Sequence, residues 1–171
     1  RNFIKKTSLT AAFASSYVYS SENLRKNEQK YMGDFSAPKL KTIKAAFLGV
    51  GYRGKGHLKL FSSLPGTEVV GISDLYEDNI SRSIKILENM NISTDLIKTY
   101  WGNEKKWKSM LSEVKPDIVF ISTDWNSHGK MAIESMKKGA HAFVEVPLAM
   151  TIKELWEIVD TCEKFKKHCM M

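Results

Sequence analysis

Three glycines near position 50 have the spacing of a phosphate-binding turn. Gly49, Gly51 and Gly54 form the pattern G-x-G-x-x-G at the end of a short apolar run, and apolar residues resume at helical intervals from Leu58. In a strand–turn–helix unit the first glycine permits the sharp turn, the second lets the backbone approach a pyrophosphate, and the third lets the helix pack closely on the strand. The helix N-terminus then offers unpaired N–H groups to the phosphates. A glycine triplet alone also fits an ordinary turn.

An acidic residue closes the next predicted strand. Glu68–Ser73 is rich in β-forming residues and is followed by Asp74, twenty positions after Gly54. A carboxylate there can accept both ribose hydroxyls of an adenosine, and its charge would repel a 2′-phosphate, which favours NAD over NADP. The alternative is that Asp74 is the N-cap of a helix that begins near Tyr76. Because the glycine triplet lies upstream, the ribose role is the favoured interpretation.

The composition argues against nucleic-acid and metal sites. The chain has 171 residues and a formal charge of +7. Residues 1–40 carry seven Lys/Arg and three Asp/Glu, whereas the remainder carries nineteen and sixteen, so the body is nearly balanced. Cys162 and Cys169 form neither a disulfide framework nor a C-x-x-C pair, and the four histidines are dispersed. We therefore predict no nucleic-acid partner and no metal.

The N-terminal residues resemble part of an export signal. Arg1–Lys6 is basic and is followed by a mildly apolar run, Leu9–Tyr19, so that residues 1–20 resemble the second half of a twin-arginine signal. This predicts a periplasmic protein; an ordinary amphipathic tail on a cytoplasmic protein is the alternative. The apolar run is too short and too polar to span a bilayer. Residues 21–42 are polar and interrupted by glycine and proline, which is typical of a linker.

Strands and helices alternate from residue 43 to residue 171, which predicts an α/β fold with a Rossmann-like, doubly wound parallel sheet. The unusual loops all follow strands, so they should meet at one edge of the sheet and form one site. Later strands are predicted at 100–102, 117–123 and 141–146, and helices at 77–90, 105–114 and up to Lys138. The last helix is predicted to begin at Thr151, with Glu154 as capping-box partner. Its predicted core side consists of Ile152, Leu155, Trp156, Val159 and Cys162.

Several motifs together resemble the N-terminal half of the Gfo/Idh/MocA oxidoreductase superfamily. They are the glycine turn, ISDLYED, STDW-x-x-H, KKGAHAFVEVP and the terminal helix ELWEIVDTCEKFKKHCMM. More narrowly, the sequence resembles glycoside hydrolase family 109, the NAD-dependent α-N-acetylgalactosaminidases, from about residue 31 to residue 171. The superfamily's dehydrogenases usually carry a lysine in an E-K-P motif, where this chain has Val146, which cannot exchange a proton. This departure weakens the dehydrogenase interpretation and favours the hydrolase branch.

The resemblance also implies roles for individual residues. Tyr52 and Arg53 would lie against the pyrophosphate, and Asp74 would hold the adenosine ribose. Trp125 and His128 would line the nicotinamide side, although each also fits a structural role at its helix. His57 and His141 are interpreted as structural. The predicted cofactor-binding residues are Gly49, Gly51, Tyr52, Arg53, Gly54, Asp74, Thr123, Trp125, His128, Glu145, Val146 and Pro147, of which Glu145 and Val146 would contact the nicotinamide ribose.

The family mechanism implied by the resemblance is transient oxidation of the sugar at C3, elimination at C1, addition of water and re-reduction, with NAD regenerated in each cycle. The chain ends where a sixth strand would begin, so we expect the substrate domain, the catalytic residues and any homo-oligomer contact to lie outside it. The chain alone should then bind NAD weakly and hydrolyse no α-N-acetylgalactosaminide. Two alternatives stay open: the same part of an NAD-dependent sugar dehydrogenase, and a non-catalytic nucleotide-binding module.

Overall fold

The computed structural model of the protein describes residues 32–103 and 105–171. The predicted export signal and residues 21–31 of the predicted linker lie outside the described residues, and residues 32–42 contain no helix or strand. None of the described helices is both long enough and apolar enough to cross a bilayer. The elements are β1 (Ile43–Leu48), α1 (Tyr52–Ser62), β2 (Thr67–Ser73), α2 (Glu77–Asn89), β3 (Lys98–Tyr100), α3 (Lys106–Val114), β4 (Ile118–Ile121), α4 (Trp125–Lys137), β5 (His141–Val144), α5 (Ile152–Phe165) and β6 (Cys169–Met170).

The six strands form one sheet in the order β3-β2-β1-β4-β5-β6, and all neighbouring pairs are parallel. The chain moves from β1 to one edge at β3, returns to β4 on the other side of β1, and continues to the opposite edge at β6. This arrangement confirms the predicted Rossmann-like, doubly wound α/β fold. Because β1 and β4 are neighbours whose connections leave in opposite directions, the sheet has a switch point between them.

β1 is buried on both faces, and its alternating residues contribute to two separate cores. Ala45 and Phe47 pack in a cluster with α1 and α2. Ala46 and Leu48 pack in a second cluster with α3, α4 and α5. The near-continuous apolar run of β1 follows from this double burial, which is typical of a central parallel strand.

The strands after β2 differ from the prediction at their ends. β4 and β5 end at Ile121 and Val144, two residues earlier than predicted, although Ser122 N still donates to Leu48 O at 2.8 Å and Glu145 N to Ile121 O at 2.9 Å. The ladder therefore continues for one residue before each loop begins. β3 lies at 98–100 rather than 100–102, because Gly102 has a φ of +78° and belongs to the following turn.

The inward face of α5 also differs from the prediction. Thr151 is the N-cap, and its Oγ1 accepts a hydrogen bond from Glu154 N at 3.2 Å, as the predicted capping box requires. The core side is formed by Ile158 and, as predicted, Cys162, because α4 packs against that face. Helical periodicity identifies an apolar stripe but not the neighbour that covers it. The other four residues predicted to be buried are exposed: Ile152, Leu155, Trp156 and Val159.

Two of the three turn glycines are required by the fold, Gly54 by the packing of α1 on the end of β1 and Gly49 by its backbone conformation and its contact with the loop after β4. A Cβ on Gly54 would lie 2.0 Å from the carbonyl oxygen of Gly49. Gly49 has a φ of +79°, which favours glycine, and a Cβ there would lie 2.6 Å from the backbone oxygen of Ser122. The turn expected at the first glycine and the close packing expected at the third are therefore present in the fold itself.

We expect Gly54→Ala to lower the free energy of unfolding by at least about 2 kcal/mol, because α1 would have to move away from β1. Gly56→Ala is the matched control, since a Cβ at position 56 of the same helix would meet no atom within 4 Å. That change should raise the free energy of unfolding by about 0.5 to 1 kcal/mol through helix propensity. Urea unfolding of both variants measures the difference, and equal stabilities would contradict the packing argument.

Candidate functional site

A cavity of about 430 Å³ lies at the C-terminal ends of β1, β2 and β4. It is bordered by the glycine turn, by the residues after β2 and by the loop after β4. This is the switch point of the sheet, where ligands of doubly wound folds bind. Four of the predicted site residues line it: Gly49, Gly51, Asp74 and Thr123.

Gly51 is the N-cap of α1, and the space beside it is open. No side chain caps this 11-residue helix, and its first turn contains no acidic residue. A Cβ on Gly51 would meet no atom within 4 Å, so a ligand can approach the backbone closely. Uncapped N–H groups, the positive end of the helix dipole and the missing side chain together fit a pyrophosphate group.

The carboxylate of Asp74 joins the glycine turn to the start of α2. Its Oδ2 accepts a hydrogen bond from Val50 N at 2.8 Å, and its Oδ1 accepts from Tyr76 N at 2.9 Å and from Asn79 Nδ2 at 3.1 Å. The N-cap of α2 is Tyr76, so Asp74 precedes the cap rather than forming it. Each carboxylate oxygen can accept two hydrogen bonds, so one acceptor position is left, on Oδ2. Asp74 therefore anchors the turn and can still accept a hydroxyl from the cavity.

Glu145, the first residue after β5, is held by two side chains of α1. Its Oε1 accepts hydrogen bonds from Arg53 Nε at 3.1 Å and from His57 Nε2 at 2.6 Å, and Arg53 Nη2 lies 3.0 Å away. The hydrogen bond from His57 is the main reason that the pKa of Glu145 lies below its ordinary value; partial burial opposes this shift, and the charge of Arg53 adds to it. The site thus contains a carboxylate that stays ionised and fixed in orientation.

Sequence analysis did not identify His57 as part of this site. Arg53 and His57 are four residues apart and therefore share one face of α1, a spacing that is visible in the sequence. What the sequence did not show is that this face lies opposite Glu145, 88 residues further along the chain. His57, Glu145 and Val146 border a second cavity, of about 290 Å³, which shares Ser122 with the first. Arg53 reaches Glu145 but does not line this cavity.

His128 is buried rather than directed into the crevice. Its side chain is 1% exposed, with Nδ1 2.7 Å from the carbonyl oxygen of Pro147 and Nε2 3.1 Å from that of Thr123. Both ring nitrogens are thus used to connect the loop after β4 with the loop after β5. The structure places His128 in support of the site and not on the surface that a cofactor would touch.

Three other predicted residues present large exposed side chains at the same edge of the sheet. Tyr52 is 91% exposed, Trp125 is 61% exposed and Val146 is 64% exposed. Val146 borders the second cavity, whereas Tyr52 and Trp125 line neither of the two cavities. The structure therefore assembles the glycine turn, Asp74 and Thr123 in one cavity and Glu145 and Val146 in the other.

Residues 43–171 match the profile described as the oxidoreductase family, NAD-binding Rossmann fold, of the Gfo/Idh/MocA proteins. The chain belongs to the Gfo/Idh/MocA family. The resemblance inferred from the motifs is confirmed by this match. The glycine turn and the switch-point cavity accordingly belong to a domain that binds NAD or NADP.

The curated relatives of this Gfo/Idh/MocA domain include proteins named for glycosyl hydrolase family 109. Glycosyl hydrolase family 109 protein 2 of Akkermansia muciniphila is 49% identical over 148 residues, which cover 86% of this chain and 31% of the relative. Glycosyl hydrolase family 109 protein 1 of Bacteroides fragilis is 39% identical over 142 residues, which cover 83% of this chain and 30% of the relative. The chain thus spans about 30% of the length of these relatives.

Solved structures with the same fold include sugar-related dehydrogenases. The apo scyllo-inositol dehydrogenase of Lactobacillus casei superposes with a TM-score of 0.65 at 17% identity, over 78% of this chain and 37% of that one. The WlbA dehydrogenase of Bordetella pertussis, in complex with NADH and UDP-GlcNAcA, superposes with a TM-score of 0.62 at 19% identity, over 75% of this chain and 36% of that one. At these identities the likeness supports the fold alone.

The contacts of the two ring nitrogens of His128 predict that it acts through stability. We expect His128→Phe to lower the free energy of unfolding by roughly 1 to 3 kcal/mol, because the carbonyl group that accepts from the ring N–H loses its donor. Trp125→Ala, three residues earlier on the same helix, should change it by less than about 1 kcal/mol because that side chain is largely exposed. Thermal and urea unfolding measure both values. A His128→Phe variant as stable as the parent protein would contradict the structural role.

Proposed function

We propose that this chain is the NAD-binding part of a glycosidase that cleaves α-N-acetylgalactosaminides by transient oxidation of the sugar. The observation that carries the proposal is the end of β5, where an ionised Glu145 is followed by Val146 and not by a proton-exchanging lysine. The names of the glycosyl hydrolase family 109 relatives support the same branch. The whole enzyme's activity would also require the part of the relatives that this chain does not span.

The residues around the first cavity favour NAD over NADP. Asp74 supplies a carboxylate where the adenosine ribose would lie. Arg82, a cation on α2, lies 3.5 Å from the carboxylate of Asp78 and is paired with it. Beside Asp74 a 2′-phosphate would meet negative charge, whereas a ribose hydroxyl would meet the free acceptor position on Oδ2. The cations that line the same cavity are Lys105, Lys108 and Lys130.

The residues of the two cavities would bind different parts of this cofactor. The N–H groups at Gly51 and the first turn of α1 would bind the pyrophosphate, Asp74 would hold the adenosine ribose, and Glu145 would hold the nicotinamide ribose. When bound, NAD supplies reversible oxidation at C3 of the sugar, which makes elimination at C1 possible. What this chain contributes is orientation of the cofactor and a fixed pattern of charge.

A second candidate is the cofactor domain of an NAD-dependent sugar dehydrogenase. It is favoured by the fold shared with scyllo-inositol dehydrogenase and WlbA dehydrogenase. Both candidates act on a small sugar or glycoside. They differ in the net reaction, since a dehydrogenase accumulates NADH and the glycosidase regenerates NAD in each turnover.

Asp74→Asn should weaken NAD binding by about 10- to 100-fold, because the amide replaces a charged acceptor of ribose hydroxyls. The preference for NAD over NADP should decrease in the same variant. Glu77→Gln is the control, since it removes a neighbouring charge that does not line the first cavity. Isothermal titration with both nucleotides gives the affinities, with unfolding curves recorded for each variant. A folded Asp74→Asn protein that binds NAD as tightly as the parent would refute this site.

The glycosidase proposal predicts hydrogen exchange at the sugar. A longer protein that contains this chain and has the full length of its relatives should cleave a p-nitrophenyl α-N-acetylgalactosaminide. In D₂O, deuterium should be incorporated at C2 of the product. No net NADH should form, because oxidation and reduction balance. NMR of the product and absorbance at the NADH band measure the two quantities. Sugar-dependent NADH accumulation without release of p-nitrophenol would instead support the dehydrogenase.

A further inference from the structure

The carboxylate of Glu145 is satisfied on one oxygen only. All three protein nitrogens that reach it, from Arg53 and His57, converge on Oε1. Among the described residues, no hydrogen bond reaches Oε2. The side chain is 19% exposed and borders the second cavity, so Oε2 can be reached by a ligand. A half-satisfied, oriented carboxylate is an acceptor for sugar hydroxyls.

The donor ring of His57 is itself held in place. It lies parallel to the ring of Phe120, with an angle of 21° between the planes and 6.1 Å between the centroids. Phe120 belongs to β4, and its ring also lies 4.8 Å from that of Phe47 on β1. The central strands therefore fix the plane of the imidazole whose Nε2 meets Glu145.

We infer that His57, assisted by Arg53, is a positioning residue that orients Glu145 so that Oε2 accepts the vicinal hydroxyls of the ribose next to the nicotinamide. This inference rests on the proposed NAD-binding function and adds to it a residue outside the predicted site. It also gives Arg53 a second role. Its guanidinium has five N–H donors, of which Nε–H donates to Glu145, so that others remain for a phosphate at the N-terminus of α1.

A purely structural ion pair would behave differently. Arg53 is 68% exposed, and exposed ion pairs contribute little to stability. If the cluster served stability alone, its loss would have a small effect on unfolding and no selective effect on ligands. If it positions Glu145, its loss should appear in the binding of ligands that contain the second ribose.

The test compares NAD, ADP-ribose and ADP as ligands of the parent protein and of two His57 variants. His57→Phe keeps an aromatic ring against Phe120 and removes the donor, while His57→Gln retains a donor. We expect His57→Phe to raise the Kd for NAD and ADP-ribose about tenfold and to leave the Kd for ADP unchanged. His57→Gln should restore part of the loss.

The pH dependence of NAD binding provides a second readout. Arg53 and His57, both on α1, are the charged or titratable side chains that face Glu145, and the other side chains around the second cavity do not ionise. Glu145 must be ionised to accept two hydroxyls, and its pKa is lowered chiefly by His57. Affinity should therefore fall on acidification in both proteins, but at a higher pH in His57→Phe than in the parent.

The possible outcomes separate this inference from the proposed function. Unchanged NAD affinity in His57→Phe, or an equal loss for NAD and ADP, would overturn the positioning role while NAD binding by the parent still stood. A parent protein that binds none of the three ligands would instead refute the proposed function. Selective loss for the two ligands with a second ribose, together with the shifted acid limb, would establish the role of His57.

Discussion

The close approach of Gly54 to the carbonyl of Gly49 sets the position of α1 against the end of β1. With only a hydrogen at position 54, α1 begins directly against the end of β1. That position sets the direction in which the first N–H groups of the helix point. It also sets the rotation of α1, and hence places Arg53 and His57 on the side of the helix that faces β5. If α1 were displaced by the width of a methyl group, its first N–H groups would point elsewhere, and Arg53 and His57 would move away from Glu145.

Asp74 shows how a candidate binding residue can be preorganised by the fold. Its three protein hydrogen bonds hold the carboxylate between the glycine turn and α2 before any ligand arrives. A ligand that meets a fixed acceptor does not have to order it, which reduces the entropic cost of binding. The alternatives weighed from the sequence, ribose binding or helix capping, are therefore not exclusive in space. The same carboxylate receives a backbone N–H near the start of α2 and borders the cavity.

The parts of the site that could be predicted from sequence are local, and the parts that could not are long-range. Gly49 to Gly54 and Asp74 were identifiable because a strand, a tight turn and a helix have a pattern within about 30 residues. The pairing of His57 with Glu145 depends on β1, β4 and β5 being neighbours, which no local pattern encodes. His128 was predicted to line the nicotinamide side, but the structure buries it between the loops after β4 and β5. Spacing alone does not tell which side chains at a helix N-terminus point inward. For Trp156 on α5, helical periodicity identified an apolar stripe, but the prediction that this stripe is buried was wrong, because Trp156 is largely exposed.

Electrostatics explain why Glu145, at the end of β5, is paired with Arg53 and His57. An ionised Glu145 near the N-terminus of α1 would repel a pyrophosphate, and that repulsion is strong where water is partly excluded. Arg53 offsets it, since its guanidinium lies between 3.0 and 3.1 Å from Oε1 and belongs to the same helix turn that would face the phosphates. The hydrogen bond from His57 is the largest cause of the lowered pKa of Glu145, and it helps to keep the carboxylate ionised. The arrangement therefore lets a negatively charged acceptor and a negatively charged cofactor occupy adjoining parts of one crevice.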